Sequence, residues 1–236
     1  LSSPTPTVPW FTTQVINAAT DDRRIHSVAL SGTKVAVSVE TGPPTSSLNR
    51  GRVYVFDLAL GSSSAPVLVL DCPVQDSSGS NARFGEWMDI SGNWLAVGAP
   101  GIYRAYVHDL ASSTPAVPFI TELSTSGAVA MSGSKLLMLN NLQHTAKLYD
   151  LGSATPGVPI ITRAYWGPMA TSVSLDGHRF AVGSARMTGV PFYANVNLYD
   201  LDSPAPDLGI VWLGTTIRGQ ALGHACLVAY PLAEVE

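Results

Sequence analysis

The sequence predicts an all-β protein, and three observations support that class. Apolar residues make up 46% of the 236 residues and charged residues only 13%, so the chain can bury a substantial core. The apolar runs are short, and stretches rich in Gly, Pro, Ser and Thr separate them, which is typical of many short strands. The same short patterns also return along the chain, and no segment has the pattern of a convincing helix.

The first recurring pattern is a hairpin in which a turn centred on glycine joins two apolar runs. Its five occurrences are VALSGTKVAVSV (28–39), MDISGNWLAVGA (88–99), VAMSGSKLLMLN (129–140), VSLDGHRFAVGS (173–184) and QALGHACLVAY (220–230). The shared glycines are Gly32, Gly92, Gly133, Gly177 and Gly223. They recur at intervals of roughly 40 to 60 residues, as expected for a repeat whose loops vary in length.

Two further patterns belong to the same repeat. A strand ending in Asp-Leu follows each of the first four hairpins: RVYVFDL (52–58), AYVHDL (105–110), AKLYDL (146–151) and VNLYDL (196–201). A proline-containing element occurs five times: SPTPTVPWF (3–11), SSAPVLVL (63–70), SSTPAVPFI (112–120), SATPGVPII (153–161) and SPAPDLGIV (203–211). Each unit is therefore predicted to have four strands: two in the hairpin, a third ending at Asp-Leu and a fourth after the prolines.

This pattern predicts a β-propeller of four-stranded antiparallel blades. Proline cannot donate to a strand ladder, which places the fourth strand at the outer edge of its blade. A parallel β-helix has much shorter rungs, and a β-sandwich does not explain the repetition. We expect five blades in a single domain, with repeat units at about 1–58, 59–110, 111–151, 152–201 and 202–236. The N-terminal strand (8–14) is expected to complete the last blade, and the alternative is part of a six- or seven-bladed ring from a longer chain.

The segment FGEWMDISGNWLAVGAP (84–100) resembles the FG-GAP repeat of integrin α-subunit propellers and of many bacterial surface proteins. The resemblance is literal in this repeat only, and VAVSV (35–39), LMLN (137–140) and FAVGS (180–184) are weaker versions of its second half. It implies a propeller fold. In calcium-binding members an Asp-rich loop joins strands one and two, whereas here a tight turn does so and only Asp176 offers a carboxylate. We therefore expect no bound calcium.

Few residues point to metal, cofactor or covalent chemistry. No His-Glu-x-x-His or Cys-x-x-Cys motif occurs, and we expect no metal and no cofactor. The histidines are interpreted as turn and surface residues, with His26 and His144 in loops. The aspartates that end the third strands are interpreted as structural, each accepting a hydrogen bond from the backbone N–H two residues on. Cys72 and Cys226 are expected to be buried free thiols.

An enzyme is a disfavoured alternative. The chain has no Gly-x-Ser-x-Gly motif and no glycine-rich phosphate loop. A propeller glycosidase or lyase requires paired carboxylates facing the central axis, and the first-strand segments offer Glu86 and Asp89, both from one repeat.

The loops at one face of the repeat are the candidate binding surface. They lie at 17–26, 39–51, 71–85, 99–105, 162–170 and 185–195. They carry aromatic and arginine side chains, which protein interfaces use most: Arg23, Arg24, Arg83, Tyr103, Arg104, Tyr165, Trp166, Phe192 and Tyr193. We predict a non-catalytic protein-binding or structural subunit. A carbohydrate-binding, lectin-like propeller is the alternative, and aromatics that only pack the loops are the structural explanation.

Charge and composition limit the partners and the location. A formal net charge of -4 argues against nucleic acid, and no apolar run reaches the roughly 18 residues that a membrane-spanning helix needs. We expect a protein partner or a larger complex, with a glycan as a further option. The sequence starts at Leu1 without a charged, apolar leader, and lysine is scarce. We therefore expect a secreted, periplasmic or cell-surface protein, for which a removed signal peptide is one explanation.

Overall fold

A computed structural model describes residues 22–42, 50–60, 65–74, 81–124, 127–165, 170–186, 193–202 and 207–212. The chain forms two compact units, Leu1–Leu123 and Ser124–Glu236. The described residues form four four-stranded antiparallel sheets and two short 3₁₀ turns, Leu58–Leu60 and Pro100–Ile102. The fifth hairpin (220–230) and the N-terminal strand (8–14) lie outside the described residues, so the five-unit division stays a prediction.

The first unit contains two sheets. The strands of its first sheet are β1 (Asp22–Ser31), β2 (Lys34–Thr41), β3 (Arg52–Asp57) and β4 (Leu68–Asp71). The strands of its second sheet are β5 (Trp87–Ser91), β6 (Trp94–Ala99), β7 (Arg104–Asp109) and β8 (Ile120–Ser124).

The second unit repeats the arrangement. The strands of the third sheet are β9 (Val129–Ser132), β10 (Lys135–Asn140), β11 (Thr145–Asp150) and β12 (Ile161–Ala164). The strands of the fourth sheet are β13 (Ala170–Asp176), β14 (Arg179–Arg186), β15 (Tyr193–Asp200) and β16 (Asp207–Trp212). In every sheet the spatial order follows the chain order, which confirms the predicted four-strand unit.

The turn between the first two strands of each sheet depends on its glycine. Gly32, Gly92, Gly133 and Gly177 all have φ between 54° and 59°. This left-handed conformation is costly for residues with a Cβ atom. A Cβ atom at any of the four would meet nothing within 4 Å, so backbone conformation rather than crowding selects glycine.

The aspartate at the end of each third strand caps the turn that follows it, as predicted. Its Oδ1 atom accepts a hydrogen bond from the backbone amide two residues on, at 2.9 to 3.0 Å. The four pairs are Asp57 with Ala59, Asp109 with Ala111, Asp150 with Gly152 and Asp200 with Asp202. A residue that is repeated in this way is explained by folding and needs no catalytic role.

The leucine after each aspartate connects the third strand to the hairpin turn. Its amide donates to the carbonyl of the residue that follows the turn glycine, at 2.7 to 2.8 Å. The four pairs are Leu58 with Thr33, Leu110 with Asn93, Leu151 with Ser134 and Leu201 with His178. The Asp-Leu pair thus joins the two turns at one end of each sheet.

Hydrogen bonding also lowers the pKa of three of these carboxyl groups. Side-chain hydrogen bonds from Thr33 and Ser134, together with the backbone amides, lower the pKa of Asp57 and Asp150. The Asp202 amide is the main cause of the lowered pKa of Asp200. These aspartates are therefore ionised acceptors at neutral pH.

The proline-containing elements lead into the edge strands. The residue after the last proline donates its amide to the third strand: Val67 to Val55, Phe119 to Val107 and Ile160 to Leu148, at 2.7 to 2.8 Å. Proline therefore stands just outside the ladder, where its missing N–H costs no hydrogen bond. This placement confirms that the fourth strand is an edge strand of its sheet.

The core of the first unit lies between its two sheets. Alternate residues of β3 and β6, among them Val53, Val55, Leu95 and Val97, are at most 1% exposed. They pack in one cluster with Phe84, which precedes β5, and with Tyr106 of β7. Strand periodicity alone places these side chains on one face, as the apolar patterns predict.

One core position carries a histidine. His108 lies in β7 where the equivalent residues are Phe56, Tyr149 and Tyr199, and it is 1% exposed. Its Nδ1 atom is 3.0 Å from the Pro115 carbonyl, and its Nε2 atom has no hydrogen-bond partner among the described residues. Burial lowers the pKa of His108. The prediction that the histidines are turn and surface residues is wrong for this one, because it occupies an inward strand position.

The first strand extends further than predicted. The segment 17–26 was expected to be a loop, but β1 begins at Asp22 and includes Arg23, Arg24 and His26. Ile25 pairs with Val39, and irregular register between Asp22 and Ser27 accommodates the extension. No Gly or Pro interrupts 22–31, so the ladder with β2 continues.

Replacing Gly133 with alanine should destabilise the protein by about 1 kcal/mol, because alanine must adopt the left-handed conformation in the turn. Gly157 is the matched control, since its backbone is outside that conformation and a Cβ atom there also meets nothing within 4 Å. Urea unfolding measures the free energy of unfolding of both variants and of the wild type. Equal losses in the two would show that the turn conformation is not what selects glycine.

Acid should destabilise the protein through His108. The folded state favours the neutral ring, so its contribution to stability is complete above the ordinary pKa of 6.5. The contribution falls as pH decreases below that value, by up to about 1.4 kcal/mol per pH unit. We expect His108→Phe to reduce the slope of unfolding free energy between pH 7.5 and 5, as measured by urea unfolding. Tyr149→Phe, at the equivalent position, should keep the wild-type slope; a wild-type slope in His108→Phe would contradict the account.

Candidate loop-end site

The candidate site lies at one end of the first unit, which we call the loop end. Here β1, β3, β5 and β7 begin, and β2, β4 and β6 end. The glycine turns lie at the opposite end, which we call the turn end. The charged side chains described at the loop end are Arg24, Glu40, Arg50, Arg52, Asp71, Arg83, Glu86 and Arg104.

The FG-GAP-like segment positions the loops of this end. Phe84 is 2% exposed, and its ring packs edge-on against Tyr106, 5.7 Å away. The Gly85 amide donates to the Gly98 carbonyl at 2.8 Å, which joins the two halves of the motif. Gly85 has φ 88°, and a Cβ atom there would lie 2.5 Å from the Cβ atom of Ser38. This close approach requires glycine.

A buried serine connects the motif to the first sheet. Ser38 is fully buried in β2, and its hydroxyl donates to the Gly85 carbonyl at 2.7 Å. The end of the motif is buried as well, since Ala99 is 0% exposed and Pro100, which starts the 3₁₀ turn, is also buried. The loops at this end are therefore held by the core.

Two predicted site residues have a left-handed backbone. Arg83 has φ 53° and Tyr103 has φ 57°, and they are two of the three non-glycine residues with positive φ among the described residues. The Tyr103 amide donates to the Pro100 carbonyl at 3.2 Å, while its side chain stays 53% exposed. Such conformations are costly, and they persist where the surrounding structure fixes them.

Ion pairs organise the arginines of the loop end. Arg24 contacts Glu40 at 2.7 Å, and Arg52 contacts Asp71 at 2.7 Å. Arg83 contacts Glu86 at 2.9 Å. Glu40, Asp71, Arg50 and Arg52 were not among the predicted site residues. Their charged side chains at strand ends were the signal in the sequence that could have identified them. The ion pairs themselves depend on strand register, which the sequence does not show.

Two arginines lie near a buried cysteine. Cys72 follows β4, is 2% exposed and is a free thiol, as predicted. Burial is the main cause of its raised pKa, which the positive charges of Arg50 and Arg104 partly oppose. Arg104 begins β7, opposite Ala99. A protonated, buried thiol is a poor nucleophile, which argues against a nucleophilic role for Cys72.

The remaining predicted site residues are not all exposed. Tyr165 is 5% exposed, and its hydroxyl donates to Asn141 at 2.5 Å. The expectation that Tyr165 presents its ring on a surface is wrong, because this ring packs the loop down. Tyr193 begins β15, and Arg23 lies in β1. Trp166 and Phe192 lie outside the described residues.

The carboxylates considered for catalysis have local partners. Glu86 is held by Arg83, and Asp89 accepts a hydrogen bond from the Ile90 amide at 2.8 Å. The described chain contains no group of three or more His, Cys, Asp or Glu side chains able to hold a metal ion. His178 contacts Asp202 at 2.7 Å, and both side chains are exposed.

No helix in the described part of the chain is long and apolar enough to span a membrane.

Comparison with known proteins shows the fold. No family model and no curated protein matches the sequence. A chain of hydrazine synthase from Kuenenia stuttgartiensis is similar with a TM-score of 0.57 at 13% identity, covering 86% of this chain and 53% of that one. Sqt1 from Chaetomium thermophilum is similar with a TM-score of 0.54 at 14% identity, and the match covers 77% of this chain and 44% of Sqt1. A chain of a mitotic checkpoint complex is similar with a TM-score of 0.51 at 16% identity, and the match covers 75% of this chain and 49% of that one.

This chain therefore spans about half the length of the structures that it resembles. At such identities the likeness carries the fold alone. Together with the four four-stranded antiparallel sheets, it confirms that the chain has the predicted all-β, propeller-type fold.

Proposed function

We propose that this protein is a non-catalytic scaffold that binds a protein partner through the loop end of its first unit. The observation that carries the proposal is Tyr103, an aromatic side chain that is 53% exposed on a backbone of positive φ. The backbone of Tyr103 adopts a conformation that costs free energy, while about half of its side chain is exposed and contributes little to folding. A ring held in this way is suited to act as an interface anchor.

The charges around Tyr103 support a partner with acidic groups. The described side chains of the loop end include five arginines and three carboxylates, although the whole chain has a net charge of -4. Arginine binds carboxylates through paired hydrogen bonds and is enriched at protein interfaces. We propose that the acidic partner docks over Tyr103, Arg83 and Arg104.

The proposal includes an extracytoplasmic location for the protein. The sparse lysine content and the FG-GAP-like segment support membership of an extracytoplasmic group of propellers. A lectin-like function stays the alternative, and the exposed Tyr103 ring is one described feature able to stack on a sugar.

A photo-crosslinking experiment tests the proposal. We expect p-benzoylphenylalanine at position 103 to give a discrete adduct with a partner protein in the native host. The same group at Leu142, which is 67% exposed in the second unit, is the control. Once the partner is known, Tyr103→Ala should weaken its binding about tenfold, because a central anchor contributes more than 1 kcal/mol. The absence of an adduct at position 103, or the same adduct from position 142, would contradict the proposal.

A further inference from the structure

A cation faces the capping aspartate in three of the four described sheets. The first residue of the second strand is paired in register with the last residue of the third: Lys34 with Asp57, Lys135 with Asp150 and Arg179 with Asp200. Arg179 contacts Asp200 at 3.0 Å, and Lys135 lies 3.8 Å from Asp150. Lys34 acts electrostatically on Asp57. The turn end thus repeats one arrangement, a carboxylate opposite a cation.

The second sheet lacks this cation. Trp94 occupies the position and is paired in register with Asp109. Asp109 accepts its capping bond from Ala111 at 2.9 Å, and it has no ion pair with any residue that the structure describes. Side chains of directly opposed residues lie on the same face, with Cβ atoms about 5 Å apart. The indole therefore lies beside a carboxylate that has no counter-ion among the described residues.

A second aromatic ring extends this surface. Phe119, at the entrance to β8, lies 5.1 Å from Trp94 between ring centroids, with the ring planes tilted by 55°. Phe119 is 50% exposed. Its amide is fixed to the Val107 carbonyl at 2.7 Å, which holds the ring beside the strand that carries Asp109. The two rings and the carboxylate form a small surface in which Phe119 is exposed and Trp94 and Asp109 are partly exposed.

The neighbouring lysine is directed elsewhere. Lys34 of the first sheet donates to the Asn93 side-chain carbonyl at 3.2 Å, next to Trp94 in sequence. It also faces Asp57 across its own sheet. Lys34 is therefore engaged with an amide and with another aspartate, and no cation of the described part of the chain is paired with Asp109.

We propose that Trp94, Phe119 and Asp109 form a binding site for an arginine side chain of a partner protein. A guanidinium group stacks on aromatic rings and binds carboxylates, so one ligand group satisfies both features. Arg179 on Asp200 shows the same pairing within this chain. The inference rests on the proposed function in taking the ligand to be a protein, but it concerns the opposite end of the unit.

The test is an NMR titration of the wild-type chain with methylguanidinium, followed at the Trp94 indole N–H. We expect a saturable shift in the millimolar range. Asp109→Asn keeps the capping oxygen and should weaken binding at least about fivefold, since the attraction of opposite charges is lost. Asp71→Asn changes the net charge equally at the loop end and should leave binding within about twofold of wild type. Trp94→Lys restores the cation found in other sheets and should abolish binding.

Three results would overturn the inference. They are no saturable shift in the wild type, equal weakening in Asp109→Asn and Asp71→Asn, and tighter binding of tetramethylammonium than of methylguanidinium. The last result would identify a quaternary ammonium ligand in place of arginine. A specific adduct at Tyr103 alongside any of these results would leave the proposed function intact and reject this site alone.

Discussion

The hydrogen bonds made by the Asp-Leu pair are the constraint on which the rest of each described sheet depends. The aspartate carboxylate accepts a hydrogen bond from the backbone amide two residues on, at the start of the connection to the edge strand. The leucine amide donates a hydrogen bond to a carbonyl of the hairpin turn. These bonds fix where the third strand stops, so they also fix the register of its neighbours. Because the same bonds occur in four sheets, loops at the other end can differ in length without disturbing the fold. Function is therefore free to vary between repeats.

Much of this organisation could be predicted from the sequence because it depends on local chemistry. A turn glycine, an Asx cap and proline outside a ladder each act within a few residues, and Gly133, Asp150 and Pro159 stand where these rules place them. The burial of Tyr165 could not be predicted in the same way. An aromatic ring in a loop segment can face either solvent or core, and its direction depends on distant partners such as Asn141.

The two ends of the first unit have contrasting chemistry. At the loop end, arginines are paired with carboxylates around the exposed Tyr103 ring, whereas at the turn end Asp109 lacks the cation that its equivalents have. The aligned repeats place Trp94 where other repeats have Lys34, Lys135 and Arg179, but its pairing with Asp109 required the strand register. At the turn end the informative residue, Trp94, departs from a rule that the other described sheets obey. A repeat protein thus supplies its own internal controls for recognising such sites.

The most direct test of the central claim is amide hydrogen exchange measured by NMR in the wild type and in Asp150→Ala. If the aspartate cap holds the junction of turn and strand, the Leu151 amide should exchange at least about tenfold faster in the variant. The equivalent Leu110 amide in the second sheet should be unchanged and serves as the internal control. Unchanged protection of Leu151 in a folded Asp150→Ala protein would contradict the account.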